Sequence, residues 1–157
     1  MLLFKKILCP TDFSEPSYKA LKAADELAKE FKSELILIHV LSPIQAFPTA
    51  PGFIPGQPAA TGYIPTQIPP EAEGYAKESL KMTLKEKVSE EVNAKSELLF
   101  GSPSEEIAKY AKESKVSTII MGTHGFTGWR HLLLGSVTEK VVRIASCPVL
   151  TIPAHEE

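Results

Sequence analysis

Residues 34–41 read ELILIHVL, apolar at almost every position. A strand with one wet face alternates apolar and polar residues. An unbroken run of Leu, Ile and Val instead suits a strand covered on both faces, as in a parallel sheet. Upstream, LFKKILCP (residues 3–10) has the length of a short buried strand and ends on a proline. Between the two runs, Ser14 is placed to cap a helix, with Glu15 and Pro16 in its first turn. Leu21, Ala24, Ala28 and Phe31 then recur at helical spacing, so a helix is expected to about Phe31. The first forty residues therefore spell strand, helix, strand.

The alternation continues downstream. Ala76, Leu80, Leu84, Val88 and Val92 recur every four residues, which predicts a helix over about residues 71–92, and SELLF (96–100) is a short strand candidate. GSPSEEIAKYAKES (101–114) opens with Ser102 as cap, Pro103 at the first helical position and Glu105 completing a capping box. STIIMG (117–122) is another buried strand, Ser136 and Glu139 form a second Ser-x-x-Glu box, and Val137, Val141 and Ile144 share a helix face behind it. CPVLTIP (147–153) supplies a last strand between prolines. Five strands alternating with four helices predict an α/β fold: an open three-layer sandwich on a parallel sheet with right-handed crossovers. At 157 residues the chain has the size of one domain, residues 1–157.

One segment breaks the pattern. Residues 43–70 carry eight of the thirteen prolines, so no regular element is expected through this insertion. It holds a near-repeat, GFIPGQ at 52–57 and GYIPTQ at 62–67. Connections longer than roughly 12–15 residues are usually functional or disordered. A surface insertion without a specific role and a lid or partner-docking strip are both compatible with the composition.

Composition excludes several classes. Hydrophobic content of 43%, charged content of 23% and a net charge of -2 describe an ordinary globule without the basic footprint of a nucleic-acid binder. No apolar run approaches the roughly 20 residues of a membrane span, and MLLFKKILCP lacks the basic region and long apolar core of a secretion signal. The two cysteines, Cys9 and Cys147, have no ligand spacing and read as small buried hydrophobes. A cytoplasmic protein is expected, and any anionic ligand must be held by local dipoles, a few cations or a metal.

MGTHGFTGWRHLLLGSVTEKVV, residues 121–142, contains four of the nine glycines. Gly122 and Gly125 follow a strand, while Gly135 and Ser136 precede a helix. In open α/β sheets, ligands bind beyond the carboxyl ends of the strands, where a helix N-terminus offers free N–H groups to a phosphate. Glycine tolerates positive φ and lets backbone approach an anion with no Cβ between. The two glycine pairs could thus be jaws on a phosphate chain, with the Ser136 hydroxyl as a further donor. Turn chemistry and capping explain the same residues without a ligand. P-loop and dinucleotide fingerprints are missing: there is no GxxxxGK[ST], and no GxGxxG opens the first helix.

The spacing Gly122-x2-Gly125-x9-Gly135-Ser136 resembles the G-x2-G-x9-G-[ST] signature of ATP-binding universal stress proteins. KKILCPTDFS is similar to that family's first strand and Asp loop, and LLGSVTEKVVRIASCPVLTIP to its last helix and strand. The resemblance covers nearly the whole chain. It implies an adenine nucleotide alpha hydrolase-like, Rossmann-like sheet of order 3-2-1-4-5, with Pro10, Thr11 and Asp12 opposite Met121, Gly122, His124 and Gly125. It places Asp12 and Val40 by adenine and ribose, and Gly122, Gly125, Gly135, Ser136, Val137 and the adjoining Thr138 along the phosphates. The implied cofactor is ATP, or ADP or AMP, accompanied by Mg2+ or Mn2+. The position after Gly125 is often basic in ATP-binding members and is Phe126 here, so Arg130, with His131, is the candidate to supply charge.

Other residues carry weaker stories. Asp12 suits an Asx turn as well as a ligand contact. His124 and His131 lack a partner spacing for zinc, and no GxSxG elbow occurs. His39, inside a buried run, is expected to be a satisfied core histidine, whereas Trp129 could pack under its loop or at an interface. No general base stands beside the proposed phosphate end, so slow, partner-dependent or absent hydrolysis is expected. The favoured function is a nucleotide-dependent regulatory switch or sensor read by another protein. A nucleotide-independent dimeric stress or scaffold protein is the alternative, and a slow ATPase a weaker one. Val149, Leu150 and Ile152 form an apolar last strand, and the resemblance implies a homodimer through it.

Overall fold

The computed structural model describes residues 4–43, 68–123 and 134–154, and in it the apolar runs pair as one parallel sheet. The elements are β1 (Lys6–Pro10), α1 (Glu15–Phe31), β2 (Glu34–Leu41), α2 (Pro70–Lys87), β3 (Asn93–Phe100), α3 (Pro103–Glu113), β4 (Thr118–Gly122), α4 (Ser136–Ile144) and β5 (Val149–Ile152). The strand order is β3-β2-β1-β4-β5, as the resemblance implied. Most of the Pro-rich segment, residues 44–67, lies outside the described residues, so neither reading of it is addressed. Among the described residues no helix is long and apolar enough to cross a membrane.

The unbroken apolar character of β2 has the expected cause. Leu35 and Leu37 join Ile7, Cys9 and Ile120 on one face of the sheet, against Ala20, Leu21, Ala24 and Ala28 of α1 and Leu80 of α2. Ile36 and Ile38 join Leu8, Ile119 and Met121 on the other face, against Ile107 and Ala111 of α3 and Val141 of α4. Successive strand residues point to opposite faces, so each central strand feeds both layers. The run of alanines in α1 lets that helix lie close to the sheet. Truncating Leu21, fully buried between them, is the kind of change that costs about 2–5 kcal/mol. Cys9 is a buried hydrophobe as expected, and burial pushes its thiol up to about 12, whereas Cys147 is only half-buried, with its thiol also raised by burial.

Several element ends differ from the sequence reading. β1 starts at Lys6 rather than Leu3, because Phe4 turns away and stacks on Phe31, ring centroids 4.9 Å apart. β3 starts at Asn93 rather than Ser96; it is an edge strand with alternately exposed residues, so its first half carries no apolar run to detect. α2 ends at Lys87 although the apolar period continues to Val92. The buried Asp25 carboxylate of α1 accepts from the Ser89 N–H (2.9 Å) and hydroxyl (2.7 Å), fixing a turn there, while Val88 and Val92 still pack on the α1 face. α4 is capped by Gly135, which puts Ser136 inside the helix, and Glu139 pairs with Arg143 (2.9 Å) instead of closing a capping box. Ser102 occupies the N-cap position of α3 but its side chain makes no capping bond, and the box is open too, since Glu105 reaches Lys140 of α4 at 2.8 Å. At Ser14 the cap is as expected, with Ser17 N–H donating to its hydroxyl.

At the amino ends of the strands, Glu34 of β2 sits between Lys95 of β3 (3.0 Å) and Lys6 of β1 (3.5 Å). The Lys95 hydrogen bond is the main cause holding the Glu34 carboxyl below its ordinary value, and it raises Lys95 in turn. A lowered carboxyl pKa stabilises the fold above the ordinary value of about 4.3 and is lost as pH falls through the folded one. Glu34→Gln should therefore cost up to about 1 kcal/mol at pH 7, the scale of half-exposed ion pairs. Denaturant titrations should show its difference from wild type shrinking below about pH 4.3 and fading in high salt.

Candidate functional site

The sheet opens where its hydrogen bonding stops. β1 pairs with β2 up to Pro10↔Ile38, but with β4 only at Ile7↔Thr118 and Leu8↔Ile119. The Lys6 carbonyl accepts from Ser117 N–H, so alternate residues of β1, and hence Pro10, face β4. Proline has no N–H, and no ladder bond can be donated from there. Beyond this point β1 and β4 part, leaving the cleft expected at the switch point of an open α/β sheet.

A cavity of about 320 Å³ occupies that cleft, at the lower end of the range for small-molecule pockets. Of the thirteen residues singled out in the sequence, Pro10, Thr11, Asp12, Val40, Met121, Gly122, Gly135, Ser136, Val137 and Thr138 line it. His124, Gly125 and Arg130 lie outside the described residues, as do Phe126, Trp129 and His131. The wall also includes Ser17, Ile38, His39, Pro103 and Ile107, which the sequence reading did not select as site residues. Pro103 and Ile107 were visible only as a helix start and a core position, and nothing in the sequence aims α3 at the cleft.

Local bonds fix the Asp12 side of the cavity. The Thr11 N–H donates to the Ile38 carbonyl (2.8 Å), the Thr11 hydroxyl meets that of Ser17 (2.9 Å), and Phe13 N–H donates to Thr11 Oγ1 (3.0 Å). Asp12 Oδ1 accepts from the Ser14 N–H (3.0 Å) and from the Ser14 hydroxyl. Asp12 thus makes the Asx turn and lines the cavity at once. Phe13 is held at a φ of 63°, an uncommon conformation for a bulky side chain and one that clusters at functional sites. His39 is satisfied as expected, its Nδ1 2.8 Å from the Thr11 carbonyl, but it is only half-buried and belongs to the cavity wall rather than the core.

The opposite wall is the start of α4. The buried Thr138 hydroxyl donates to the Gly122 carbonyl (2.9 Å), tying the helix to the end of β4. Gly135 N–H donates to the Thr123 carbonyl (2.6 Å), and Thr123 N–H to that of Ile152 on β5 (2.9 Å). Gly135 is extended, with φ -67°, and Gly122 is not left-handed either, so positive φ does not explain these glycines. What remains is their missing Cβ at the cavity surface. The first N–H groups of a helix have no intrahelical partner, and those of Ser136, Val137 and Thr138 sit on residues that line the cavity. Such a helix end favours anions.

Among the described residues the lining contains one carboxylate, Asp12, and no Lys or Arg. No group of three or more His, Cys, Asp or Glu there is disposed to hold a metal by itself. The wall divides into an apolar part, made by Ile38, Val40, Pro103 and Ile107, and a donor-rich part at Gly135–Thr138. That division fits a ligand with a flat apolar end and an anionic end. A divalent ion would have to be carried on the anion's oxygens, with Asp12 the one carboxylate among the described lining residues.

Comparisons with known proteins agree with this architecture. The universal stress protein family profile matches residues 3–153. Universal stress protein MJ0531 of Methanocaldococcus jannaschii is 40% identical over 152 residues, covering 96% of this chain and 82% of that protein. The solved structure of MJ0577, from the same organism, superposes with a TM-score of 0.64 at 32% identity, covering 99% of this chain and 100% of its own. A universal stress protein of Archaeoglobus fulgidus, solved in complex with dAMP, gives 0.66 at 21% identity over 97% and 99% of the two chains, a likeness of fold.

Thr138→Val keeps the shape and removes the donor to Gly122. Leaving a buried carbonyl without its partner should lower stability by about 1–3 kcal/mol. The denaturant midpoint should fall at unchanged slope, and an unchanged midpoint would show that this bond does not secure α4.

Proposed function

The chain belongs to the universal stress protein family, and we propose that it is an ATP-binding member working as a nucleotide-dependent regulatory switch or sensor. The observation that carries the reading is the cavity where β1 and β4 part, lined both by apolar residues beside β2 and by the bare helix N-terminus of α4. Adenine suits the slot, where the backbone of Val40 and the side chains of Ile38 and Ile107 offer a flat apolar contact with polar edges. The phosphates suit Gly135–Thr138, where N–H groups replace the cations that the described wall lacks. Mg2+ or Mn2+ would offset the remaining phosphate charge, and ADP or AMP would occupy the same slot with fewer donors engaged. The Archaeoglobus fulgidus relative of the same fold was solved with an adenine nucleotide, dAMP, which supports the choice of base.

Rapid hydrolysis does not suit this site. Asp12 Oδ1 is engaged in the turn that starts α1, and the helix end at the anionic half offers donors rather than a base. A bound state that persists is what a switch needs, and its reader would be a second protein in the cytoplasm. A homodimer is part of the same reading: β5 is a sheet edge, with Leu150 39% exposed and Val142 and Ile144 of α4 exposed nearby in sequence. An open apolar edge is a template for pairing.

Titration calorimetry of nucleotide-stripped protein with Mg-ATP should show micromolar binding that Gly135→Asp abolishes, because a carboxylate then meets the phosphates. No binding at millimolar ATP, a threshold near -4 kcal/mol, would return the glycines to turn chemistry. Light scattering at micromolar concentration should give a dimer, with Leu150→Lys shifting it to monomer. A monomeric wild type would remove the edge from the proposal.

A further inference from the structure

We propose that His39 is a positioning residue for the nucleotide site: by taking the Thr11 carbonyl, its imidazole ends the β1–β2 ladder early and leaves the backbone N–H of Val40 to a ligand. The inference rests on the nucleotide reading of the cavity. It begins with the ladder itself. Glu34 N–H donates to the Lys5 carbonyl (3.1 Å), and Thr11 N–H donates to the Ile38 carbonyl (2.8 Å). Glu34, Ile36 and Ile38 therefore direct their backbone groups at β1, and by the same alternation so does Val40. His39 and Leu41 face β3, and Leu41 there accepts from Gly101 N–H (2.9 Å).

The next bond in the β1–β2 series would run from Val40 N–H to the Thr11 carbonyl. Among the described residues it is not made. The carbonyl instead receives His39 Nδ1 at 2.8 Å. A carbonyl can only accept, so Nδ1 is the protonated nitrogen. The ring is steadied by Phe13, 4.6 Å away between centroids and held at positive φ. His39 stands on the opposite face of the sheet from Ile38, so its pull takes the carbonyl out of the sheet plane. Val40, whose N–H then faces the space that β1 vacates, lines the cavity. A ring nitrogen of a purine, an acceptor in a flat apolar body, is the chemistry that would recognise a lone N–H in such a slot.

Two substitutions separate the donor from the ring. His39→Phe keeps an aromatic beside Phe13 and removes the donor, whereas His39→Asn keeps a donor at the Nδ1 position and removes the ring. In ligand-free protein, amide hydrogen exchange at Val40 should slow by about fivefold to tenfold in His39→Phe, as the ladder bond closes. Damage to the fold could only speed it. In the same variant Mg-ATP affinity should drop about tenfold, and His39→Asn should match wild type in both readouts. Unchanged or faster exchange in His39→Phe overturns the proposal, as does ATP affinity that stays at the wild-type level. An Asn variant as impaired as Phe overturns it too, by assigning the effect to the ring. Slowed exchange in a wild-type background that binds no ATP would overturn the nucleotide reading while leaving control of the ladder by His39 standing. His39→Leu replaces Phe in the same test if the larger ring prevents folding.

Discussion

Everything at the carboxyl end of this sheet depends on strands that stop pairing at different places. A parallel sheet is a continuous network, and a ligand can enter it only where neighbouring strands part. Here Pro10 faces β4 without an N–H to give, and the β1–β4 ladder is confined to Ile7 and Leu8. On its other side β1 stays joined to β2 as far as Thr11. The cleft is therefore asymmetric, with one wall made of strand backbone and the other made by the start of α4, brought in by Thr138.

The polar residues around this cleft are mostly occupied with one another. Thr11, Ser14 and Ser17 are buried and bonded among themselves and to Asp12. No buried side-chain donor or acceptor among the described residues is without a partner. The wall is thus set before any ligand arrives, and little side-chain ordering remains to oppose binding. Most of the donors on the described wall belong to the backbone, at Val40 and at the first turn of α4, with the Ser136 hydroxyl beside them, which makes the cavity a product of topology more than of side-chain chemistry.

Much of this was legible in the sequence, for a physical reason. The central strands are buried on both faces, so ELILIHVL and STIIMG advertise a parallel sheet, and ten of the singled-out residues do line one cavity. The misses follow equally from physics. NAKS in β3 is hidden because an edge strand needs no apolar run. The end of α2 was misplaced because the Asp25–Ser89 bonds that set it join residues 64 apart. Ser136 and Glu139 have the spacing of a capping box, yet Gly135 caps the helix, since spacing cannot say which residue is extended. His39 looked like core because its neighbours are apolar. Its position beside the switch point comes from the register of β2 against β1, which local composition does not encode.

The chain of bonds from Ile152 through Thr123 to Gly135 also bears on how the molecule frays. β5 has four residues and pairs on one side, with β4. Short edge strands are where local opening costs least. When the end of β5 lifts, the Thr123 amide loses its acceptor, and the next carbonyl along is the one that anchors the α4 cap. These bonds couple the margin of the sheet to the start of α4, so any opening of that margin reaches the part of the cavity wall that offers backbone donors.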